Sequence, residues 1–517
     1  MGATSHPTIL DTLAAQARLR VSASRRVVDL DEMAQWARAS DPPIDFPFER
    51  QLGSPQLSFI CEAKKASPSK GLIAPDFDYL SIAHDYQTGG AAAISVLTEP
   101  THFLGSDRCL AEIAASVDLP VLRKDFTVDD YQIFQARALG ASAILLICAI
   151  LTDDELRRFL DLADELGLSV LTETHDAAEI RRAVNAGARV IGVNNRSLHD
   201  FSVDSTTAER LRRLVPPDRL FVSESGVMSV DDAKAAAQMG ADAVLVGEFL
   251  MRSRDRAGLL SQMRTATAGP AEPTLAAHDV AEQPARRRRV TRPPLVKICG
   301  LRREEDVAVI NQALPTYVGL IFHPASRRHV DPTVARRLRG LLDPAVGVVG
   351  VFVDADIEHI ADLARDKVIS MIQLHGDEDA RYVGDLRSRV PHLPIIKAVH
   401  ASSADQTIAD GDVGADFLLL DAATPGSGQR FDWGVIDEVR RSGRIRSPLF
   451  LAGGLDPGNV TEACRHGVFA VDVSSGVESD GHKDPAKVHA FMRAVRASAT
   501  PGNGISLPQP ASREDPT

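Results

Sequence analysis

The sequence predicts an α/β protein built from two tandem (β/α)8 barrels, the first preceded by a helical extension. Three observations carry that prediction. Short, continuous apolar runs alternate with amphipathic stretches along most of the chain, the pattern of parallel strands covered by helices. The runs come in two sets of eight, and eight units in about 200 residues favour a closed barrel over an open sheet. A segment without core periodicity separates the two sets.

The chain begins its ordered pattern with "ILDTLAAQARLRV", whose spacing predicts a helix ahead of the first strand. Strands are expected at "FICEAK" (59–64), "AAISVLTE" (92–99), "VLRKDF" (121–126) and "AILLICAI" (143–150). Four more follow at "SVLTET" (169–174), "VIGVNN" (190–195), "LFVSES" (220–225) and "AVLVGE" (243–248). Between them, segments such as "DDELRRFLDLADELG" and "VDDAKAAAQMG" are amphipathic and end in the glycine that favours a left-handed helix cap. The first barrel is expected to occupy 1–256. Residues 257–293, rich in Ala, Pro, Thr and charge, read as a flexible linker, and "RRRR" at 286–289 reads as a solvated charge run within it.

The second set starts with "LVKICG" (295–300), "YVGLIF" (317–322), "GVVGVFV" (347–353) and "MIQLHG" (371–376). It closes with "PIIKAV" (394–399), "DFLLLDA" (416–422), "LFLAGG" (449–454) and "FAVDVSSG" (469–476). This barrel is expected at 294–497, followed by a polar, proline-rich tail at 498–517 that is expected to be disordered.

Composition narrows the function classes. Hydrophobic residues make up 44% of the 517 and charged residues 25%, the balance of a globular enzyme. A net charge of −12 and only 5% aromatic residues argue against general nucleic-acid binding and base stacking. Five scattered cysteines (Cys61, Cys109, Cys148, Cys299 and Cys464) include no C-x-x-C pair, which suits a reducing cytoplasm rather than a disulfide framework. The N-terminus lacks a basic region followed by an apolar one, and no apolar run reaches the ~20 residues of a membrane span. No nucleic-acid or membrane partner is expected, and the chain is read as a cytoplasmic monomer.

Residues at the C-terminal ends of barrel strands point into the active-site mouth. In the first barrel those ends are polar: Glu62 and Lys64, Lys124, Glu173, Asn194, then Glu224 and Ser225. Any one of them alone is more often a solvated or paired surface residue. Their convergence on one barrel rim is hard to reconcile with that reading at every strand. Lysines and glutamates at close quarters shift each other's protonation and form acid/base pairs. "SESG" and "LVGE" place Gly226 and Gly247 in the two loops where this fold frequently binds phosphate. The residues by themselves read as an acid/base enzyme for a small phosphorylated substrate.

"FICEAKKASPSKG", "VLRKDF", "LTETH", "IGVNNRSL", "SESGV" and "VLVGEFLM", in that order, resemble indole-3-glycerol-phosphate synthase over residues 8–256. That family cyclises 1-(2-carboxyphenylamino)-1-deoxyribulose 5-phosphate with loss of CO2 and water. The resemblance implies Lys124 as general acid at the substrate carbonyl and Glu173 as its acid/base partner. It implies Lys64 on the substrate's anionic groups, with Glu62, Asn194 and Glu224 holding hydroxyls and lysines. Ser225, Gly226, Gly247 and Arg196 would line the phosphate and substrate pocket, together with Phe126 and Ser67. Ser67 to Gly71 would form a loop that closes over the ligand, while Lys65 and Lys70 are expected to be solvated.

In the second barrel, Cys299 ends "LVKIC" and Asp421 ends "FLLLD". A lone cysteine in an apolar strand is usually a small core residue. An acid after four apolar residues needs partners or a function. Spacing alone leaves open whether the two face each other. "LAGGL" and "DVSSGVE" again put small, amide-rich turns at the seventh and eighth strands, with Gly453, Gly454, Ser474 and Ser475. The ordered set "VKICGL", "FHPASRRHV", "QLHGDE", "LLLDA", "GSGQRFDW", "LAGGL" and "VDVSSGVE" is similar to phosphoribosylanthranilate isomerase over about residues 294–497. That family performs an Amadori rearrangement. The resemblance implies Asp421 as general acid on the ring oxygen and Cys299, as thiolate, as the base at C2′. It implies Arg328 on the anthranilate carboxylate, with Gln373 and His375 lining the pocket. "TPGSG" (424–428) departs from the consecutive glycines of many relatives.

Together the resemblances imply a bifunctional enzyme of tryptophan biosynthesis that needs no metal or other cofactor. Its partners would be small phosphorylated anthranilate-derived substrates. Two alternatives remain at this point: one barrel is inactive or handles a related aminodeoxyribulose or histidine-pathway sugar, or the chain is a phosphate-ligand sensor. Matched acid/base groups count against a sensor.

Overall fold

The computed structural model describes residues 9–39, 45–197, 202–268, 293–401, 403–411, 413–422, 431–442, 444–445 and 447–498. The chain divides into two compact units, each holding one closed, eight-stranded parallel barrel.

In the first barrel, β1 (Ser58–Ala63), β2 (Ala93–Leu97), β3 (Val121–Lys124) and β4 (Ala143–Ile147) pair in sequence order. They continue into β5 (Ser169–Thr174), β6 (Val190–Asn194), β7 (Leu220–Glu224) and β8 (Ala243–Val246), which closes on β1. The interior is filled by Ile60, Leu122, Leu145, Leu171, Val222 and Leu245. Phe48 and Leu52, from the short helix Pro47–Leu52, pack into the same cluster. With its centre solid, this barrel can bind ligands only at an end. Helix Ile9–Val27 confirms the expected extension, and its Ala14 and Ala17 pack against Val128, Phe126 and Ile150.

The expected linker start at 257 needs correction. Arg256–Thr267 is a helix with Leu260 and Met263 buried, one turn apart, and Asp255 caps its N-terminus through Gly258 N–H at 2.8 Å. Alanine- and threonine-rich composition hid that short apolar stripe. Fully burying two such side chains is worth ~1.5–3 kcal/mol each, enough to hold the segment on the barrel. Residues 269–292, including "RRRR", lie outside the described residues, as do 424–428 and the tail from 499 onward.

The second barrel repeats the plan with β9 (Leu295–Cys299), β10 (Tyr317–Ile321), β11 (Gly347–Phe352) and β12 (Met371–Leu374). β13 (Ile395–His400), β14 (Phe417–Asp421), β15 (Leu449–Leu451) and β16 (Ala470–Val473) complete it, and β16 returns to β9. Its interior also holds charge: Lys297 of β9 is fully buried and pairs with Asp472 of β16 at 2.6 Å.

Candidate active sites

The mouth of the first barrel is a pocket that opens to solvent, about 1100 Å³ with the open solvent above it included. β1 contributes Glu62 and, just beyond its end, Lys64, which are in direct contact with each other. β3 contributes Lys124 and, just beyond its end, Phe126, while β5 contributes Glu173. Asn194 and Arg196 come from the end of β6, and Asn194 Oδ1 accepts the Arg196 backbone N–H at 3.0 Å. Glu224, Ser225 and Gly226 come from the end of β7, and Gly247 follows β8.

Ser67 does not line this pocket; its neighbour Pro68 does. Ala66–Ser67 and Gly71–Leu72 form a two-stranded antiparallel ribbon rather than an open loop, with Ser67 buried opposite Gly71. At its tip, Ser69 Oγ lies 3.5 Å from Arg196 Nη1 and Lys70 Nζ lies 3.8 Å from Glu248. Lys70 is exposed as expected, whereas Lys65 is half-buried.

Lys124 is the electrostatic centre. Its Nζ is 2.9 Å from Glu173 Oε2 and 3.5 Å from Glu224 Oε2. Burial opposes its charge, but Glu173, Glu224 and Glu62 outweigh burial and hold its pKa above the usual lysine range. For Glu173, burial alone would favour the neutral acid; Lys124 and His175 overcome it and hold the carboxyl well below the ordinary range. Glu224 goes the other way. Burial raises it, Lys124 only partly opposes this, and Glu173 raises it further. Its Oε1 lies against Gly192, where a Cβ would come within 2.1 Å, so only glycine at 192 leaves room for this carboxyl.

Ser225 and Gly226 both take left-handed backbone, with φ of +63° and +96°. For a serine that conformation is uncommon. Asn195 stabilises it, its Nδ2 donating to Ser225 O at 3.0 Å.

Sequence reasoning missed the roof of this pocket. Ile9, Leu10 and Leu13 of the N-terminal helix line it, beside Leu97 and Phe103. Arg20 ties the helix down through Asp125 at 2.6 Å and Glu99 at 3.5 Å. An apolar stripe on a helix otherwise rich in charge was the available signal.

In the second barrel, Cys299 is buried with its Sγ against Gly319 of β10, where a Cβ would come within 2.5 Å. Its carbonyl accepts Lys483 Nζ at 2.6 Å and Ser474 Oγ at 3.2 Å, so the Ser474 hydroxyl turns onto the strand. Ser475 begins the short helical turn that follows. Burial raises the Cys299 pKa, Lys297 lowers it, Asp472 raises it and Lys483 lowers it; the net direction is up.

Asp421 ends β14, with Oδ1 accepting Ala422 N–H at 2.7 Å and Oδ2 3.5 Å from His375 Nε2. Gln373 Nε2 lies 3.0 Å from His375 Nδ1. Asp472, paired with Lys297, is felt electrostatically by both Cys299 and Asp421. Its own pKa is raised by burial and by Asp421, and it in turn acts on Cys299. Gly453 and Gly454 repeat the left-handed pair of the first barrel, with φ of +82° and +65°.

Arg328 is buried and engaged by Glu478, which also takes Lys483 Nζ at 2.8 Å. Lys297, Asp472, Glu478 and Lys483 were not singled out from sequence. The signal for the first two was a charge inside an apolar run, "LVKIC" and "FAVDV".

The sequence model described as indole-3-glycerol phosphate synthase matches residues 10–263, and that described as N-(5'phosphoribosyl)anthranilate (PRA) isomerase matches 296–494. Tryptophan biosynthesis protein TrpCF of Vibrio parahaemolyticus is 36% identical over 463 residues, covering 88% of this chain and 88% of that protein. Indole-3-glycerol phosphate synthase of Ruminiclostridium cellulolyticum is 50% identical over 256 residues, covering 50% of this chain and 98% of that one. Among solved structures, phosphoribosyl anthranilate isomerase from Thermotoga maritima is 36% identical and covers 40% of this chain and 99% of its own, with a TM-score of 0.36.

Proposed function

Because the chain belongs to the family of bifunctional tryptophan-biosynthesis proteins that join indole-3-glycerol phosphate synthase to PRA isomerase, we propose how its residues divide the two reactions. The C-terminal barrel isomerises N-(5-phosphoribosyl)anthranilate to 1-(2-carboxyphenylamino)-1-deoxyribulose 5-phosphate. The N-terminal barrel converts that product to indole-3-glycerol phosphate.

In the isomerase, Asp421 protonates the furanose ring oxygen, opening the sugar to a Schiff base. Cys299, as thiolate, removes the C2′ proton, and the resulting enolamine tautomerises to the ketone. Arg328 holds the anthranilate carboxylate, His375 and Gln373 frame the acid, and the turns at Gly453–Gly454 and Ser474–Ser475 take the phosphate. In the synthase, Lys124 protonates the ketone oxygen as the ring carbon attacks, and CO2 leaves. Loss of CO2 restores the benzene ring, and Glu173 then accepts the C1′ proton as the new hydroxyl leaves as water, which completes the indole. Lys64, oriented by Glu62, meets the substrate's anionic groups, Asn194 and Glu224 hold hydroxyls, and the amides at Ser225–Gly226 and Gly247, with Arg196, take the phosphate.

The observation that carries this division is Lys124 shared between two carboxylates of unlike environment, because acid and base roles separate where environments push paired groups apart. We assign the first catalytic unit through Thr267, supported by the buried Leu260 and Met263. We assign the activity to the cytoplasm, a reading supported by five free, buried cysteines. The chain works as a monomer on this reading, without nucleic-acid or membrane partners, and size-exclusion chromatography with light scattering tests its oligomeric state.

The test of the division supplies each substrate to the full chain carrying Asp421→Asn. Conversion of carboxyphenylamino-deoxyribulose phosphate should continue at the unsubstituted rate while phosphoribosylanthranilate accumulates. Normal turnover of phosphoribosylanthranilate by that variant would remove Asp421 from its role.

A further inference from the structure

His175, at the mouth of the first barrel, is a titratable side chain that the roles above leave unused. It follows the last residue of β5 and lies between two carboxylates. Its Nε2 is 3.4 Å from Glu173 Oε1, and its Nδ1 is 3.2 Å from Glu179 Oε2. Glu179 Oε2 also accepts the backbone N–H of His175 at 2.7 Å, tying the ring to the first turn of helix Ala177–Ala186. Glu173 therefore meets a cationic partner on each oxygen, His175 on Oε1 and Lys124 on Oε2. Glu224 has only its 3.5 Å share of Lys124, and its buried Oε1 has no hydrogen-bond partner among the described residues.

We propose that His175 is a positioning residue for the synthase reaction: clamped by Glu179 as an imidazolium, it fixes Glu173 as the ionised carboxylate of the mouth and leaves the proton on Glu224. The proposal rests on the roles given to Lys124 and Glu173 above.

Two carboxylates that share one ammonium compete for it, and the one with a second cation ionises first. The surroundings keep that second cation in place. Burial alone would discharge the ring, but its hydrogen bond to Glu179 and its ion-pair contact with Glu173 outweigh burial and bring it to about 10. Beyond Glu173 lie Lys124 of β3 and Glu224 of β7, and the ring also lowers Glu224, though less than Lys124 does. On the helix that follows His175, Arg182 is engaged by Asp153 at 2.5 Å and by the carbonyl of Cys148 at 2.9 Å. The Cys148 thiol is pushed up by burial and stays neutral. The ring's nearest charged neighbours are thus both anions. Without it, Glu173 and Glu224 would share Lys124 on more equal terms, and the proton would be divided between base and hydrogen-bond donor.

The experiment measures kcat and KM of the synthase reaction against pH in the full chain, with carboxyphenylamino-deoxyribulose phosphate supplied directly. His175→Gln keeps hydrogen bonding and removes the charge. Its acid limb of kcat should move toward neutral by about one pH unit or more, with kcat near pH 8 and KM each within about threefold of the unsubstituted chain. Glu179→Gln, which loosens the clamp from the other side, should move the limb in the same direction by less. In the unsubstituted chain, nitrogen-15 histidine spectra should retain an imidazolium at about pH 8. A loss of the same factor at every pH, an acid limb that stays in place in both variants, or spectra with every histidine neutral at that pH would overturn the proposal. Glu173→Gln separates the two levels. If it keeps full activity, the underlying role of Glu173 falls; if it is inactive while the His175→Gln profile is unchanged, only the role of His175 falls.

Discussion

Arg328 and Glu478 form a two-point ion pair at the mouth of the second barrel, Nε to Oε1 at 2.9 Å and Nη2 to Oε2 at 2.7 Å, across 150 residues of sequence. Such planar, paired bonds fix a guanidinium in direction as well as place. The geometry gives Glu478 the Nε and Nη2 edge, and the remaining Nη1 is the nitrogen we assign to the anthranilate carboxylate. Glu478→Gln should therefore raise the isomerase KM about tenfold, roughly the worth of one charge-assisted hydrogen bond, with kcat little changed. Steady-state kinetics check this, and a fall in kcat at constant KM would place Glu478 in the chemistry instead.

Lys124→Ala should abolish indole-glycerol phosphate formation while leaving the isomerase intact. Loss of a positioned acid costs ~10²–10⁴-fold in rate, and here it also strands Glu173 and Glu224 without their shared cation. Absorbance assays with each substrate supplied separately read both activities. Near-normal synthase turnover would free Lys124 from the assignment.

The two carboxylates around Lys124 should respond unequally to amide substitution. Glu173→Gln removes an ionised base and should cost ~10²–10⁴-fold in kcat. Glu224→Gln replaces a carboxyl that burial and Glu173 keep protonated, so it should cost about tenfold or less. Equal losses would contradict the division of charge between them.

Cys299→Ser should preserve the fold, because a hydroxyl nearly matches the thiol in volume, yet serine supplies no basic anion near neutral pH. The variant should rescue growth of a synthase-deficient host and fail in an isomerase-deficient one. Growth equal to the unsubstituted chain in both hosts would make Cys299 a core residue.

The pH dependence of the isomerase follows from the same cysteine. Burial holds the thiol above its ordinary value, so the thiolate is a minority species at neutral pH and its share grows as pH rises. Isomerase kcat should increase with pH into the alkaline range. Replacing the buried pair together, Lys297→Met with Asp472→Leu, removes a stronger lowering influence than the raising one it takes away, so the limb should move further alkaline. Replacing both partners avoids the ~3–5 kcal/mol penalty of stranding one buried charge. A flat profile across this range would rule out a titrating thiol as the base.

The barrels were legible because apolar runs and their bounding glycines fix strand order; β5 spans the same residues in the sequence pattern and in the structure. Strand ends were less so. "LFLAGG" reads as one run, but β15 stops at Leu451, where the left-handed Gly453 and Gly454 turn the chain out of the sheet. "AILLICAI" likewise ends in a tight helical turn at Cys148–Ile150. Polar residues just past an apolar run, such as Lys124 and Asp421, announce themselves. Lys297 does not, because its partner Asp472 lies 175 residues away. His175 stands in plain view in "LTETH", but only the packing of the next helix shows Glu179 on its far side.

The glycine beneath Cys299 bears on how this enzyme survives oxidants. The Sγ already fills the space a Cβ would take on Gly319, so an oxygen added on that side has nowhere to go. Peroxides and alkylating agents attack the thiolate and not the thiol, and burial keeps this sulfur mostly protonated while the enzyme rests. On the assignment above, the isomerase keeps its base in an unreactive form at rest. Iodoacetamide or peroxide should inactivate it slowly at neutral pH and faster as the medium becomes alkaline.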